Sequence, residues 1–273
     1  MRSEENDTDQ KEEDRAKGSS SSTMQPLLDM RLPTQLLVCS ARCTGKTNII
    51  ASLAYHLAKT RFTKVPTSII VFAGTKDLGQ DYNWLPKERV RQGLNERQCM
   101  TILRYQMKQC ELKRRQAMRA NVAVNQNHLL LILDDVYGVG GVNIMTSPCL
   151  KMLSTMGRHY YTSVIMSIQS SAIGNTLRQN TQGILFSKLS QSHLKHVWEA
   201  TRGMEWKEFL KFTSQLNPYE FGYFDNASAE DAAADRFHVV KADSFPRGKF
   251  FIRNKEKEKN QKTKKNTSDT TKQ

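Results

Sequence analysis

The octapeptide Ser40-Ala41-Arg42-Cys43-Thr44-Gly45-Lys46-Thr47 constrains this chain more than any other stretch. It follows an apolar run, Leu36-Leu37-Val38-Cys39, and opens into a helix-like segment from Asn48 to Lys59. Strand, tight loop and helix with Gly-Lys-Thr at the junction form the architecture that cradles nucleotide phosphates, because backbone N–H groups at a helix N-terminus point at the anion. Residues Ser40, Ala41, Arg42, Cys43, Thr44, Gly45, Lys46, Thr47 and Asn48 are therefore expected to hold ATP. Lys46 would reach the β- and γ-phosphates, and the Thr47 hydroxyl would ligate Mg²⁺. The usual pattern opens with glycine, and Ser40 stands in that place. Serine is small enough to serve, at some conformational cost.

A nucleotide-hydrolysing site needs a second part, an acid delivered by a buried strand. Leu129-Leu130-Leu131-Ile132-Leu133-Asp134-Asp135 supplies it. Asp134 is expected to hold Mg²⁺ through water together with Thr47, and Asp135 to polarise the attacking water as general base. A third part is a polar group ending the next strand. Ser163-Val164-Ile165-Met166-Ser167-Ile168-Gln169 puts Gln169 there. With the Asp134 strand lying beside the first strand, Gln169 would stand near the γ-phosphate. A fourth part is a cation for the charge built up in phosphoryl transfer, often supplied by a neighbouring subunit. Arg158 in Gly157-Arg158-His159-Tyr160 is the first candidate and Arg178 in Leu177-Arg178-Gln179-Asn180 the second. An arginine acting in trans implies a ring of subunits.

Between the ends of the chain, apolar runs of strand length alternate with helical stretches. Strands are expected at Leu36–Cys39, Ser68–Ala73, Leu129–Leu133, Thr162–Ser167 and Gly183–Phe186. A terminal hairpin is expected from Phe221–Phe224 and Phe237–Val240. Helices are expected at Lys46–Lys59, Leu94–Arg119, Ser147–Met156 and Gln191–Ala200. Strands apolar on both faces and alternating with helices predict an α/β fold, a mainly parallel central sheet flanked by helices. Residues 1–24, acidic and then Ser-rich, are expected to be a disordered tail, and 254–273, Lys-rich, a second one. The domain between them spans 25–253.

The charge is unevenly placed. Residues 1–23 carry a net −3, residues 87–119 a net +7 and residues 249–273 a net +6. A basic helix and a basic tail suit a polyanionic partner, most simply nucleic acid. A plain solvated helix fits the same charges. Arg97, Arg104, Lys108, Arg115 and Arg119 recur at helical spacing on one face, with Lys113 and Arg114 as further candidates. No apolar run approaches the roughly 20 residues of a membrane span. Five cysteines with no C-x-x-C pair suggest reduced thiols and a soluble intracellular protein. Gly138-Val139-Gly140-Gly141 lacks the spacing of a dinucleotide fingerprint. His193, His196 and Glu199 share one helix and read as surface or packing rather than metal ligands.

Together, Ser40–Thr47, the Asp134-Asp135 strand end, Gly157-Arg158-His159-Tyr160 running into Gln169, and Leu177-Arg178-Gln179-Asn180 resemble the genome-packaging ATPases of large DNA viruses. That is the poxvirus-type branch of the FtsK–HerA superfamily, also found in virophages and Polinton-type elements. The resemblance covers about Leu32 to Tyr223. It implies a RecA-like (ASCE) P-loop NTPase core, ATP and Mg²⁺ as cofactors, a homo-oligomeric ring, and double-stranded DNA driven into a capsid. It implies Asp135 as catalytic base, Gln169 as sensor and Arg158 as the finger. It also implies a capsid or portal partner and a place at the host cell's virus-assembly site, in cytoplasm or nucleus, or in the virion. Two other classes remain open on the residues. A nucleoside or polynucleotide kinase would need an arginine-bearing lid and an acceptor pocket, and neither stands out. A non-catalytic DNA-binding scaffold with a worn phosphate loop would suit Ser40, whereas intact Lys46, Thr47, Asp134 and Asp135 speak against it.

Overall fold

The strand His128–Asp134 (β4) is buried at every one of its seven positions. Such a strand needs cover on both faces, and the tertiary structure supplies it. The computed structural model describes residues 23–62, 67–74, 81–136, 147–168, 179–201, 203–227 and 233–246. The other strands are Gln35–Cys39 (β1), Thr67–Ala73 (β2), Val90–Gln92 (β3), Thr162–Ile168 (β5), Gly183–Phe186 (β6), Glu220–Asp225 (β7) and Phe237–Lys241 (β8). The helices are Gln25–Leu28 (α1), Lys46–Thr60 (α2), Glu96–Ala120 (α3), Pro148–Met156 (α4), Gln191–Thr201 (α5) and Trp206–Ser214 (α6).

Among the described residues, the eight strands join one sheet in the order β3-β2-β4-β5-β1-β6-β7-β8. The strands from β3 to β6 are parallel, and β7 and β8 close one edge as an antiparallel hairpin. This order corrects one expectation. The Asp134 strand does not lie beside the first strand, because β5 pairs with β1 on one side and β4 on the other. Strand order depends on how the crossovers pack, which local pattern does not encode.

Two apolar clusters fill the two faces. Leu36 and Val38 of β1 and Leu130 and Ile132 of β4 face α1 and α2. Leu37, Leu129, Leu131 and Leu133 face α3, α4, α5 and α6. The alternation follows from the period of two along a strand. Trp84 is buried edge-on against Tyr55, and Trp198 and Trp206 pack together in the second cluster, so all three serve packing. The sequence pattern does not reveal α1, β3 or α6. The first two are too short to show a period, and α6 follows α5 after only a brief break.

The tail 1–22, the segment 247–273 with its Lys-rich end, the glycines at 138, 140 and 141, Gln169 and Arg178 lie outside the described residues.

Candidate functional site

The carboxyl ends of β1, β4 and β5 meet at one edge of the sheet, where parallel α/β sheets place ligands. Beyond Cys39 the chain turns into the loop that starts α2. Ser40 is buried and accepts a hydrogen bond from the Ser187 hydroxyl at 3.0 Å. Its hydroxyl also meets that of Thr44, which donates to the Ala41 carbonyl at 2.9 Å. Positive φ falls at Cys43 (59°) and Gly45 (88°), and not at Ser40. The first loop position therefore does not use a glycine's freedom, and serine adds a tether to the end of β6. Ala41, Arg42 and Cys43 are exposed, Asn48 is half-buried, and Lys46 and Thr47 open α2. Burial pushes the Cys39 thiol up to about 12, although Lys46 pulls the other way.

The acid pair comes from the end of β4. Asp134 is fully buried and its carboxylate is held from several sides. Tyr82 donates to Oδ2 at 3.0 Å and Ser167 donates to Oδ1 at 2.9 Å. The Thr47 side chain is hydrogen-bonded to it as well. Burial pushes the Asp134 carboxyl up; the bonds from Ser167, Thr47 and Tyr82 and the charge of Lys46 pull it back. Asp135 takes a left-handed backbone, φ 53°, which swings its side chain out of the strand. Its N–H donates to Ser167 Oγ at 2.6 Å, and its Oδ1 lies 3.5 Å from Lys46 Nζ. So Lys46, Thr47, Asp134 and Asp135, drawn from two elements, stand together.

Three further residues support this edge and were missed from sequence. Ser167 follows Met166, which pairs with Leu133, so the register sets Ser167 beside Asp134. Tyr82 reaches in from the connection between β2 and β3. Gly74 donates its N–H to the Asp134 carbonyl at 2.8 Å, and a Cβ there would lie 1.9 Å from the Asp135 carbonyl oxygen. A small polar residue ending an apolar strand was the available signal for Ser167. Nothing local marks Tyr82 or Gly74.

Thr47 and Asp134 offer hard oxygen donors at the same sheet edge, which suits Mg²⁺. Among the described residues no group of three His, Cys, Asp or Glu side chains could hold a metal alone. Mg²⁺ fits that limit, since it commonly takes one or two protein ligands and completes its shell with phosphate oxygens and water.

Arg158 is not part of this constellation. It lies in the 3-10 turn Gly157–Tyr160 that precedes β5, exposed at the amino end of a seven-residue strand. That is about 20 Å along the strand from the acid edge.

The basic residues of α3 divide. Arg97, Arg104, Lys108, Arg115 and Arg119 are all exposed. At 100° per residue they fall within an arc of about 60° and span about 33 Å of helix. Lys113 instead donates to the Asn125 carbonyl at 2.9 Å and Asn127 Oδ1 at 2.8 Å. Arg114 donates to the His159 carbonyl and lies over the Tyr160 ring. These two, half-buried, tie α3 to the segments beside it. His196 pairs with Glu199 and His193 with Ser190, as expected of surface groups. No described helix is long and apolar enough to cross a membrane.

No protein-family model matches the sequence, and no curated protein does. Solved structures do match. EssC (ATPases 2 and 3) from Geobacillus thermodenitrificans is 12% identical with a TM-score of 0.53, over 78% of this chain and 40% of that one. The pCW3 conjugation coupling protein TcpA is 12% identical with a TM-score of 0.51, over 81% of this chain and 63% of that one. The DNA-packaging ATPase B204 from Sulfolobus Turreted Icosahedral Virus is 14% identical with a TM-score of 0.48, over 77% of this chain and 98% of that one. The assignment of fold stands on the first two. The chain has a mixed α/β fold with a mostly parallel sheet, shared with EssC and TcpA.

Proposed function

We propose that this chain is an ATP-hydrolysing motor that moves double-stranded DNA during virion assembly. In this reading it belongs with the packaging ATPases of the poxvirus-type branch and works as a ring. The observation that supports it is the convergence of Lys46, Thr47, Asp134 and Asp135 at one sheet edge. The fold shared with EssC and TcpA agrees with it.

The backbone of the loop and the start of α2 bind the phosphates, with Lys46 countering their charge. Bound Mg²⁺ would be held by Thr47 and, through water, by Asp134, and would neutralise charge on the phosphate oxygens. Asp135 accepts the proton of the attacking water. The Ser167 bridge keeps both acids in register. Gln169 senses the phosphate. Arg158 or Arg178 of a neighbouring subunit meets the transition-state charge, and the distance of Arg158 from its own site favours action in trans. The exposed stripe on α3 grips DNA phosphates, which suits a motor that must pass over any sequence. The Lys-rich tail adds non-specific affinity, and a capsid or portal protein completes the machine at the virus-assembly site.

Phosphate release from ATP, measured with and without duplex DNA, tests this reading. DNA-stimulated turnover that Asp135→Asn abolishes is expected. Transfer of phosphate to an added nucleoside would replace it with a kinase. ATP binding without hydrolysis, with or without DNA, would replace it with a scaffold.

A further inference from the structure

We infer that Tyr219 is a nucleoside-stacking residue, the wall against which the base of a bound purine nucleoside triphosphate lies. The inference rests on the reading of Ser40–Thr47 as a phosphate loop.

Tyr219 stands in the turn Asn217-Pro218-Tyr219-Glu220 between α6 and β7. The Glu220 N–H donates to the Asn217 carbonyl at 3.1 Å, closing a four-residue turn. Proline at the first corner and positive φ at the second is the type II pattern, whose second corner normally takes Gly or Asn. Tyr219 occupies that corner with φ 65°. For a bulky residue this is a costly conformation, and such outliers cluster at ligand clamps.

The surroundings hold the residue in this pose. Both the backbone N–H and the side-chain amide of Asn217 donate to Glu220 Oε2, at 2.9 and 3.0 Å. Leu216 and Phe221 anchor the two ends of the turn in the core. Tyr219 is nonetheless 62% exposed, so burial does not explain why a large aromatic residue sits there.

What the ring touches explains it. Its edge lies 3.1 Å from where a Cβ on Gly45 would stand. Gly45 is the residue before Lys46 and caps α2. One flank of the ring thus abuts the phosphate loop, and the rest is open to solvent. A triphosphate seated on the loop extends its nucleoside outward from α2, and an aromatic wall fixed at the loop's margin is where a base can stack. Stacking on an aromatic face is sequence-tolerant, so it adds affinity for purine nucleotides without choosing sharply among them.

Calorimetric titration of the full chain with Mg²⁺ and a non-hydrolysable ATP analogue, and separately with tripolyphosphate, tests the inference. Tyr219→Ala should weaken the nucleotide by about 5- to 100-fold and leave tripolyphosphate binding within about twofold. Tyr219→Phe should keep both. Tyr219→Gly should weaken the nucleotide equally while melting no lower than the parent, because glycine relieves the left-handed backbone; a structural role for the ring would lower the melting temperature instead. Unchanged nucleotide affinity in Tyr219→Ala, or a parallel loss of both ligands, would overturn the inference. If the parent chain binds neither ligand, the phosphate-loop reading itself fails, and this inference with it.

Discussion

Lys46 Nζ lies 3.5 Å from Asp135 Oδ1, so the residue expected to neutralise phosphate and the residue expected to activate water are ion-paired. The amine is largely buried and the carboxylate about three-quarters so, which limits solvent screening. A bound triphosphate would compete with Asp135 for the same amine. Asp135→Asn removes a charge from Lys46 and the proton acceptor at once. Turnover should fall by about 10²- to 10⁴-fold, while ATP affinity holds or rises. Loss of binding alongside turnover would show that Asp135 builds the loop rather than serving the chemistry.

Ser167 bonds both acids, donating to Asp134 and accepting from the Asp135 N–H. In Ser167→Ala, that N–H loses its partner and Asp134 loses a donor. The expected cost is about 1–3 kcal/mol in denaturant unfolding. The Mg²⁺ concentration for half-maximal turnover should rise, because Asp134 ionises less readily without the bond. An unchanged Mg²⁺ requirement would confine Ser167 to a structural role.

Gly74 leaves no room for a side chain. Its Cβ would sit 1.9 Å from the Asp135 carbonyl oxygen, a backbone atom that no rotamer change can move aside. Gly74→Ala should destabilise the chain by about 1–3 kcal/mol and cut turnover by displacing the acid pair. Melting temperature and phosphate release, measured together, check both.

His128 gives the fold a pH dependence. Burial lowers its pKa to about 4, from an ordinary value near 6.5. The unfolded chain therefore binds a proton at a pH where the folded chain does not. Stability is complete above pH 6.5, falls as pH drops from 6.5 towards 4, and stops falling on this account below that. The loss should be about 3 kcal/mol. His128→Gln can keep a bond to Ser163, now made to the ring at 2.8 Å, and should flatten this limb of the stability profile.

The α3 stripe predicts a salt-sensitive grip. Replacing Arg104, Lys108 and Arg115 with Ala should weaken duplex binding uniformly across sequences. The slope of log affinity against log salt should become shallower by about 0.9 for each phosphate no longer neutralised. Lys113→Ala and Arg114→Ala should instead lower thermal stability, since those side chains bond the Asn125 and His159 carbonyls. Equal salt slopes in both sets would place the DNA elsewhere.

Much of this protein was legible in the order of its residues, because the signals are local. Leu36–Cys39 followed by Gly45-Lys46-Thr47 announces strand, loop and helix within a dozen positions. Five apolar residues before Asp134-Asp135 have the length and character of a covered strand, and the basic face of α3 follows from helical spacing. What tertiary structure decided was everything that depends on register between distant segments. It placed β5 between β1 and β4, and so set Ser167, 33 positions away, against Asp134. It brought Tyr82 to the buried carboxylate, Gly74 against the Asp135 carbonyl and the Tyr219 ring beside Gly45. It also gave Lys113 and Arg114, which helical spacing already sets off the stripe, their partners in the Asn125 and His159 carbonyls. Local pattern sets which face of an element is apolar. Which element meets that face is chosen by packing across the whole sheet, where strands far apart in sequence become neighbours.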